Sequence, residues 1–171
     1  MNLIKTTLDG LVVLKPTIFK DNRGYFMESY NQKNINKLLG NVNFVQDNES
    51  ESSRGVLRGL HFQKPPYTQA KLVRCLKGSV LDVVLDLRKD SKTYGIFETI
   101  SLTEENKKQL FIPKGFAHGF IVLSKSAIFS YKVDNYYNPD SESGVLWSDL
   151  NLNIDWKINK NEIIVSEKDK N

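Results

Sequence analysis

The chain carries two histidines, His61 and His118, and each sits among residues able to do chemistry. His61 lies in Arg54-Gly55-Val56-Leu57-Arg58-Gly59-Leu60-His61-Phe62-Gln63. An imidazole titrates near neutral pH and can take and return a proton. Arg58 offers a planar fork of N–H donors that suits phosphate. In an ideal strand Arg58 and His61 point to opposite faces, so both serve one site only if a bulge at Gly59 re-aims one of them. Lys71 opens another strand pattern, where a fixed cation can steady developing negative charge. Tyr131, in Ser130-Tyr131-Lys132-Val133, can give a proton from the other side of a bound ring. Seven tyrosines are present, so spacing alone does not single this one out.

His118 closes Phe111-Ile112-Pro113-Lys114-Gly115-Phe116-Ala117-His118, where Pro-x-Gly forms a turn and the histidine opens the next strand. Pro113-x-Gly115-x-x-His118 resembles the second signature of the cupin jelly roll, and Gly59-x-His61 through Gly78 stands in the place of the first. Metal-binding cupins need His-x-His and a carboxylate there. This chain has His61-Phe62-Gln63, with Gln69 and Lys71 downstream. Two histidines, no evident carboxylate ligand and a repelling ammonium make a poor divalent site, so no metal and no other cofactor is expected.

These residues need strands to position them. Leu11 to Leu14, Gly24 to Tyr30, Val42 to Gln46, Val56 to Phe62, Lys71 to Leu76 and Ser79 to Leu87 read as strands. Ile96 to Leu102, Gln109 to Ile112, His118 to Leu123, Ala127 to Val133 and a short Ile163 to Ser166 continue the series. Lys77-Gly78 reads as a tight hairpin turn. One helix interrupts, with Asn31 as N-cap, an Ile35-Leu38-Leu39 stripe and Gly40 as its stop. So many strands with so few helices predict an all-β fold, a cupin-type jelly-roll barrel of antiparallel strands. No repeat or linker divides residues 1–171, which read as one domain.

The 171 residues are enough to bury a real core. Lys and Arg exceed Asp and Glu by 24 − 20 = +4. That excess is scattered, which argues against nucleic acid and suits a small anionic ligand. Cys75 is the only cysteine, so no intramolecular disulfide and no cysteine zinc site is expected. No apolar run approaches the ~20 residues of a membrane span, and the first residues do not read as a signal peptide. A cytoplasmic protein without a membrane partner is expected.

Several motifs in shared order resemble the dTDP-4-dehydrorhamnose 3,5-epimerase family over nearly the whole chain. They are Asp21-Asn22-Arg23-Gly24-Tyr25-Phe26-Met27-Glu28, Gln46-Asp47-Asn48-Glu49-Ser50, Gly55 to Gln63, Gln69 to Arg74, Gly78 to Val83, Phe111 to Phe120 and Ser166-Glu167-Lys168-Asp169. The resemblance implies a metal-free homodimer that isomerises a 4-keto-6-deoxy sugar on a nucleoside diphosphate. His61 matches the family's general base, Asp169 the carboxylate that orients it, Lys71 the enolate-stabilising cation and Tyr131 the opposing proton donor. Arg23, Phe26, Glu28, Gln46, Asp47, Asn48, Arg58, His118, Glu142 and Lys168 match or adjoin substrate-binding positions. The resemblance also implies that the Arg23 to Glu28 strand reaches the neighbouring subunit's site. It turns a charged tail that would read as frayed into a functional lid. Asp82 is a second acid that could contact His61, and the sequence leaves that choice open.

The expected reaction is inversion at C3 and C5, from dTDP-4-dehydro-6-deoxy-D-glucose to dTDP-4-dehydro-L-rhamnose. A single-centre epimerase, or one acting on another sugar nucleotide such as a GDP-linked heptose, is the alternative, since the same acid–base pair serves one inversion or two. A non-catalytic sugar-binding cupin would not need His61, Lys71 and Tyr131 together. A metal-dependent cupin oxygenase would need the missing His-x-His.

Overall fold

Side chains of successive strand residues alternate between two faces, and here the alternation sorts apolar residues into three layers. The computed structural model describes residues 1–170. Its first strands are β1 (Asn2–Lys5), β2 (Val12–Lys15), β3 (Phe19–Asp21) and β4 (Gly24–Phe26), followed by helix α1 (Gln32–Leu39). Then come β5 (Gln46–Ser53), β6 (Leu57–Gln63), β7 (Lys71–Lys77), β8 (Ser79–Asp86) and β9 (Phe97–Thr103). The last are β10 (Gln109–Ile112), β11 (Phe116–Val122), β12 (Ser126–Val133) and β13 (Glu142–Gly144).

One sheet has the order β1-β2-β10-β7-β12-β5 and a second the order β13-β6-β11-β8-β9, while β3 and β4 form a separate hairpin. The two large sheets are antiparallel throughout. Val13, Val73, Leu110 and Phe129 of the first sheet pack with Val80, Val84, Leu102 and Phe120 of the second. Each such fully buried side chain is worth about 1.5–3 kcal/mol. Helix α1 covers the outer face of the six-stranded sheet through Ile35 against Leu14, Leu72 and Phe111. The segment after β13 covers the other outer face, where Trp156 packs with Leu57, Leu81 and Ile121.

The antiparallel all-β expectation holds, but neither sheet closes into a barrel. Among the described residues β1 and β5 stand as edges of one sheet and β13 and β9 of the other, so side chains rather than ladder bonds join the two. Lys77-Gly78 is not a hairpin turn. It is a corner where the chain leaves one sheet for the other. Gly78 has φ +75°, and a Cβ there would meet the Ser126 carbonyl oxygen at 2.1 Å. The strand expected at Val42 to Gln46 starts at Gln46 and runs to Ser53. Its inward residues are polar, which hid the alternation. The Gly24 to Tyr30 strand stops at Phe26 because the chain turns into α1. Ile163 to Ser166 makes one parallel bridge, Ile164 to Val56, rather than a full strand. Asn31 caps α1 as expected, accepting from Asn34 N–H, and Gly40 ends it.

Candidate active site

Strand β6 delivers two functional side chains to one side because it is bulged. His61 pairs with His118, and Arg58 with Phe120, so β6 has one more residue than β11 between those pairs. Gly59 sits in that step at φ +134°, and a Cβ on it would lie 2.4 Å from Gly119 Cα. Only glycine on both strands allows such an approach. Leu57 and Leu60 go to the outer cluster. Arg58 and His61 both line a cavity of about 510 Å³ between the sheets.

Lys71 from β7, His118 from β11 and Tyr131 from β12 line the same cavity, with Lys168 and Asp169 of the 3-10 turn Glu167–Lys170 closing one side. Asp169 Oδ1 is 2.5 Å from His61 Nε2. The other acid is taken elsewhere: Asp82 Oδ2 is 3.0 Å from His118 Nε2. A carboxylate on Nε2 holds the proton there and leaves Nδ1 as the basic nitrogen of His61.

Burial pushes the Lys71 ammonium down to about 8, while the charges of Asp82 and Glu142 resist. Burial also raises the Tyr131 phenol, which Arg58 partly offsets. His118 is lowered by burial, against the pull of Asp82. Glu142 accepts from Tyr137 Oη at 2.6 Å and pairs with Lys168. Those contacts outweigh burial and lower its carboxyl. Glu142 and Lys168 line a second hollow of about 310 Å³ behind His61 and Asp169.

Other expected site residues stand apart. Gln46 and Asn48 share the inward face of β5, where Gln46 Nε2 donates to Asn48 Oδ1 at 2.9 Å. Asp47 points the other way and pairs with Lys132 at 2.7 Å, because β5 alternates faces. Arg23, Phe26 and Glu28 do not reach the cavity of their own chain. Arg23 pairs with Asp21 at 2.6 Å, Phe26 is 69 % exposed, and Glu28 accepts from Asn31 and Asn34. Ser50 was missed. It lines the cavity with a buried hydroxyl that has no partner, and its signal was its even spacing from Gln46 and Asn48 along β5.

No three His, Cys, Asp or Glu side chains among the described residues are grouped to hold a metal ion. A cupin-like β fold that gathers an imidazole–carboxylate pair, an ammonium and a phenol around one cavity defines an acid–base enzyme. The chain belongs to the dTDP-4-dehydrorhamnose 3,5-epimerase family, whose profile matches residues 5–171. It is 51 % identical over 172 residues to the dTDP-4-dehydrorhamnose 3,5-epimerase of Shigella flexneri, covering 100 % of this chain and 94 % of that one. The crystal structure of the dTDP-4-dehydrorhamnose 3,5-epimerase from Elizabethkingia anophelis NUHP1 superimposes with a TM-score of 0.96 at 54 % identity, covering 100 % and 94 %. The dTDP-6-deoxy-D-glucose-3,5-epimerase of Legionella pneumophila, in complex with dTDP-4-keto-L-rhamnose, superimposes with a TM-score of 0.94 at 48 % identity, covering 98 % and 89 %.

Proposed function

We propose that the enzyme converts dTDP-4-dehydro-6-deoxy-D-glucose to dTDP-4-dehydro-L-rhamnose by inverting C3 and C5. The observation that carries this is the convergence of His61, Lys71 and Tyr131 on one cavity. The C4 ketone acidifies the hydrogens on both neighbouring carbons. His61 Nδ1 takes one proton, and the C–H electron pair moves toward the C4 oxygen as an enolate. Lys71 steadies that oxygen, since a fixed cation in a partly dry site acts more strongly than in water. Tyr131 returns a proton to the opposite face. His61 then gives its proton to solvent, Tyr131 regains one, and the same groups act on the second carbon.

Asp169 holds His61 in the Nε2–H tautomer and stabilises the imidazolium that forms. Arg58 and Lys168 supply charge for the diphosphate, with His118, Glu142, Gln46 and Asn48 as further substrate contacts. Asp47 would act through its backbone, because its side chain faces away. Arg23, Phe26 and Glu28 complete the cavity of a second copy. The exposure of Phe19, Tyr25 and Phe26 together on one hairpin supports this homodimer, because a cluster of bare aromatics is a contact surface.

Product analysis after incubation with dTDP-, GDP-, CDP- and UDP-linked 4-keto sugars tests this reading. The expected product is the dTDP sugar inverted at both carbons. Inversion at one carbon only, or turnover restricted to another nucleotide, would replace it with the narrower reading.

A further inference from the structure

The chain turns between β5 and β6 at Ser53 to Val56, and the turn is held on several sides. Val56 N–H donates to the Ser53 carbonyl, Arg54 N–H to that of Lys125 and Gly55 N–H to that of Val122. The turn sets Ser52, inward on β5, against Arg58 on β6. Arg58 Nε donates to Ser52 Oγ at 3.2 Å, so the bond joins one sheet to the other. Ser52 is buried, with Ala127 facing it on β12. A hydroxyl in such a place costs stability unless it has a partner, and Arg58 is the partner it has. Arg58 itself is exposed and lines the cavity. Among the described residues it pairs with no carboxylate. Arg54, at the start of the same turn, is already engaged by Glu162 and the Leu123 carbonyl.

We infer that Ser52 is a positioning residue: its hydroxyl holds Arg58 by Nε and leaves the terminal nitrogens free for the substrate's diphosphate, without touching substrate itself. This rests on the epimerase reading above, in which Arg58 supplies charge for that diphosphate. A guanidinium carries its N–H donors in a rigid planar fork. With Nε taken by Ser52, the two terminal nitrogens stay together at the far end of the fork, where they can meet two oxygens of one phosphate. A free arginine loses its rotamer freedom when an anion binds, whereas a pinned one has lost part of it beforehand. Ser50, the next inward residue of β5, has a hydroxyl without a partner and so does not share the task.

Ser52→Ala removes the hydroxyl and little else. The dissociation constant for dTDP should rise about 3–10-fold, the scale of ordering one long side chain. KM for the sugar nucleotide rises with it and kcat changes less, because the reacting carbons meet other residues. In Arg58→Ala the same Ser52→Ala change adds no further loss, since nothing is left to hold. An unchanged dTDP affinity in Ser52→Ala overturns the inference. So does an equal loss with and without Arg58, which is what a purely structural serine gives. Should Ser52→Ala not fold, NMR of the Arg58 Nε–H in the unaltered enzyme decides instead. A resolved, slowly exchanging signal without ligand is required, and one averaged with solvent overturns the inference. An unaltered enzyme that binds dTDP but inverts neither carbon would strike the epimerase reading and leave the Ser52 comparison intact.

Discussion

Asp169 Oδ1 stands 2.5 Å from His61 Nε2 across 108 residues of chain. The tail reaches it through a few contacts: Ile164 bridges Val56, Leu57 N–H donates to the Ile164 carbonyl, and Asp169 N–H donates to Ser166. The proposed base is therefore assembled from β6 and the turn Glu167–Lys170. Asp169→Asn keeps the size but presents a weaker acceptor and favours the wrong tautomer. kcat should fall about 10²-fold or more with KM little changed. Steady-state kinetics beside a thermal melt check it.

Tyr131 acts after His61 in the proposed sequence, so its loss separates the two steps. Tyr131→Phe should still exchange substrate C–H hydrogens with solvent, while net inversion falls about 10²-fold or more. NMR in deuterated buffer reads both rates from one sample.

Gly59 permits the bulge that turns Arg58 and His61 to the same side. Gly59→Ala places a methyl against the Gly119 backbone at a φ that alanine resists. Destabilisation of about 2 kcal/mol or more is expected. Denaturant unfolding measures it, and activity should fall further than the unfolded fraction explains.

Asp86 tests the frame rather than the chemistry. Burial pushes its carboxyl up, but hydrogen bonds from Arg88, Ser91 and Thr93 outweigh this and hold it well below the usual carboxylate range. A depressed folded pKa gives stability that is present above the unfolded pKa and lost as pH falls through the folded one. Unfolding free energy should therefore drop below about pH 4. Asp86→Asn should lose about 3 kcal/mol at neutral pH and flatten that dependence.

Phe26 and Arg23 probe the assembly. Arg23→Ala should leave the thermal melt nearly unchanged, because its side chain is exposed and pairs only with Asp21, whereas Phe26→Ala should lower the melt only as far as the dimer is weakened. KM for the nucleotide sugar should rise several-fold, and sedimentation velocity should show a weakened dimer for Phe26→Ala.

Much of the candidate site was legible in the sequence because the residues that line the cavity sit in short ordered motifs. The parity conflict between Arg58 and His61 pointed to a bulge at Gly59, and the ladder has one there. Less local facts were hidden. Lys77-Gly78 has the chemistry of a turn whether the chain doubles back or crosses between sheets, and only the pairing of β7 and β8 with different partners distinguishes them. Strand β5 escaped notice because Gln46, Asn48, Ser50 and Ser52 face inward in place of apolar residues. Which acid serves which histidine depends on β8 lying beside β11 and on where the tail ends, neither of which leaves a local mark.

The most direct test follows hydrogen at the two reacting carbons. The enzyme is incubated with dTDP-4-keto-6-deoxyglucose in deuterated buffer, and the product is read by NMR. Deuterium at both C3 and C5, abolished by His61→Asn, is the predicted result. Product inverted at both carbons that keeps its original hydrogens, or labelling that persists undiminished without His61, would contradict the account.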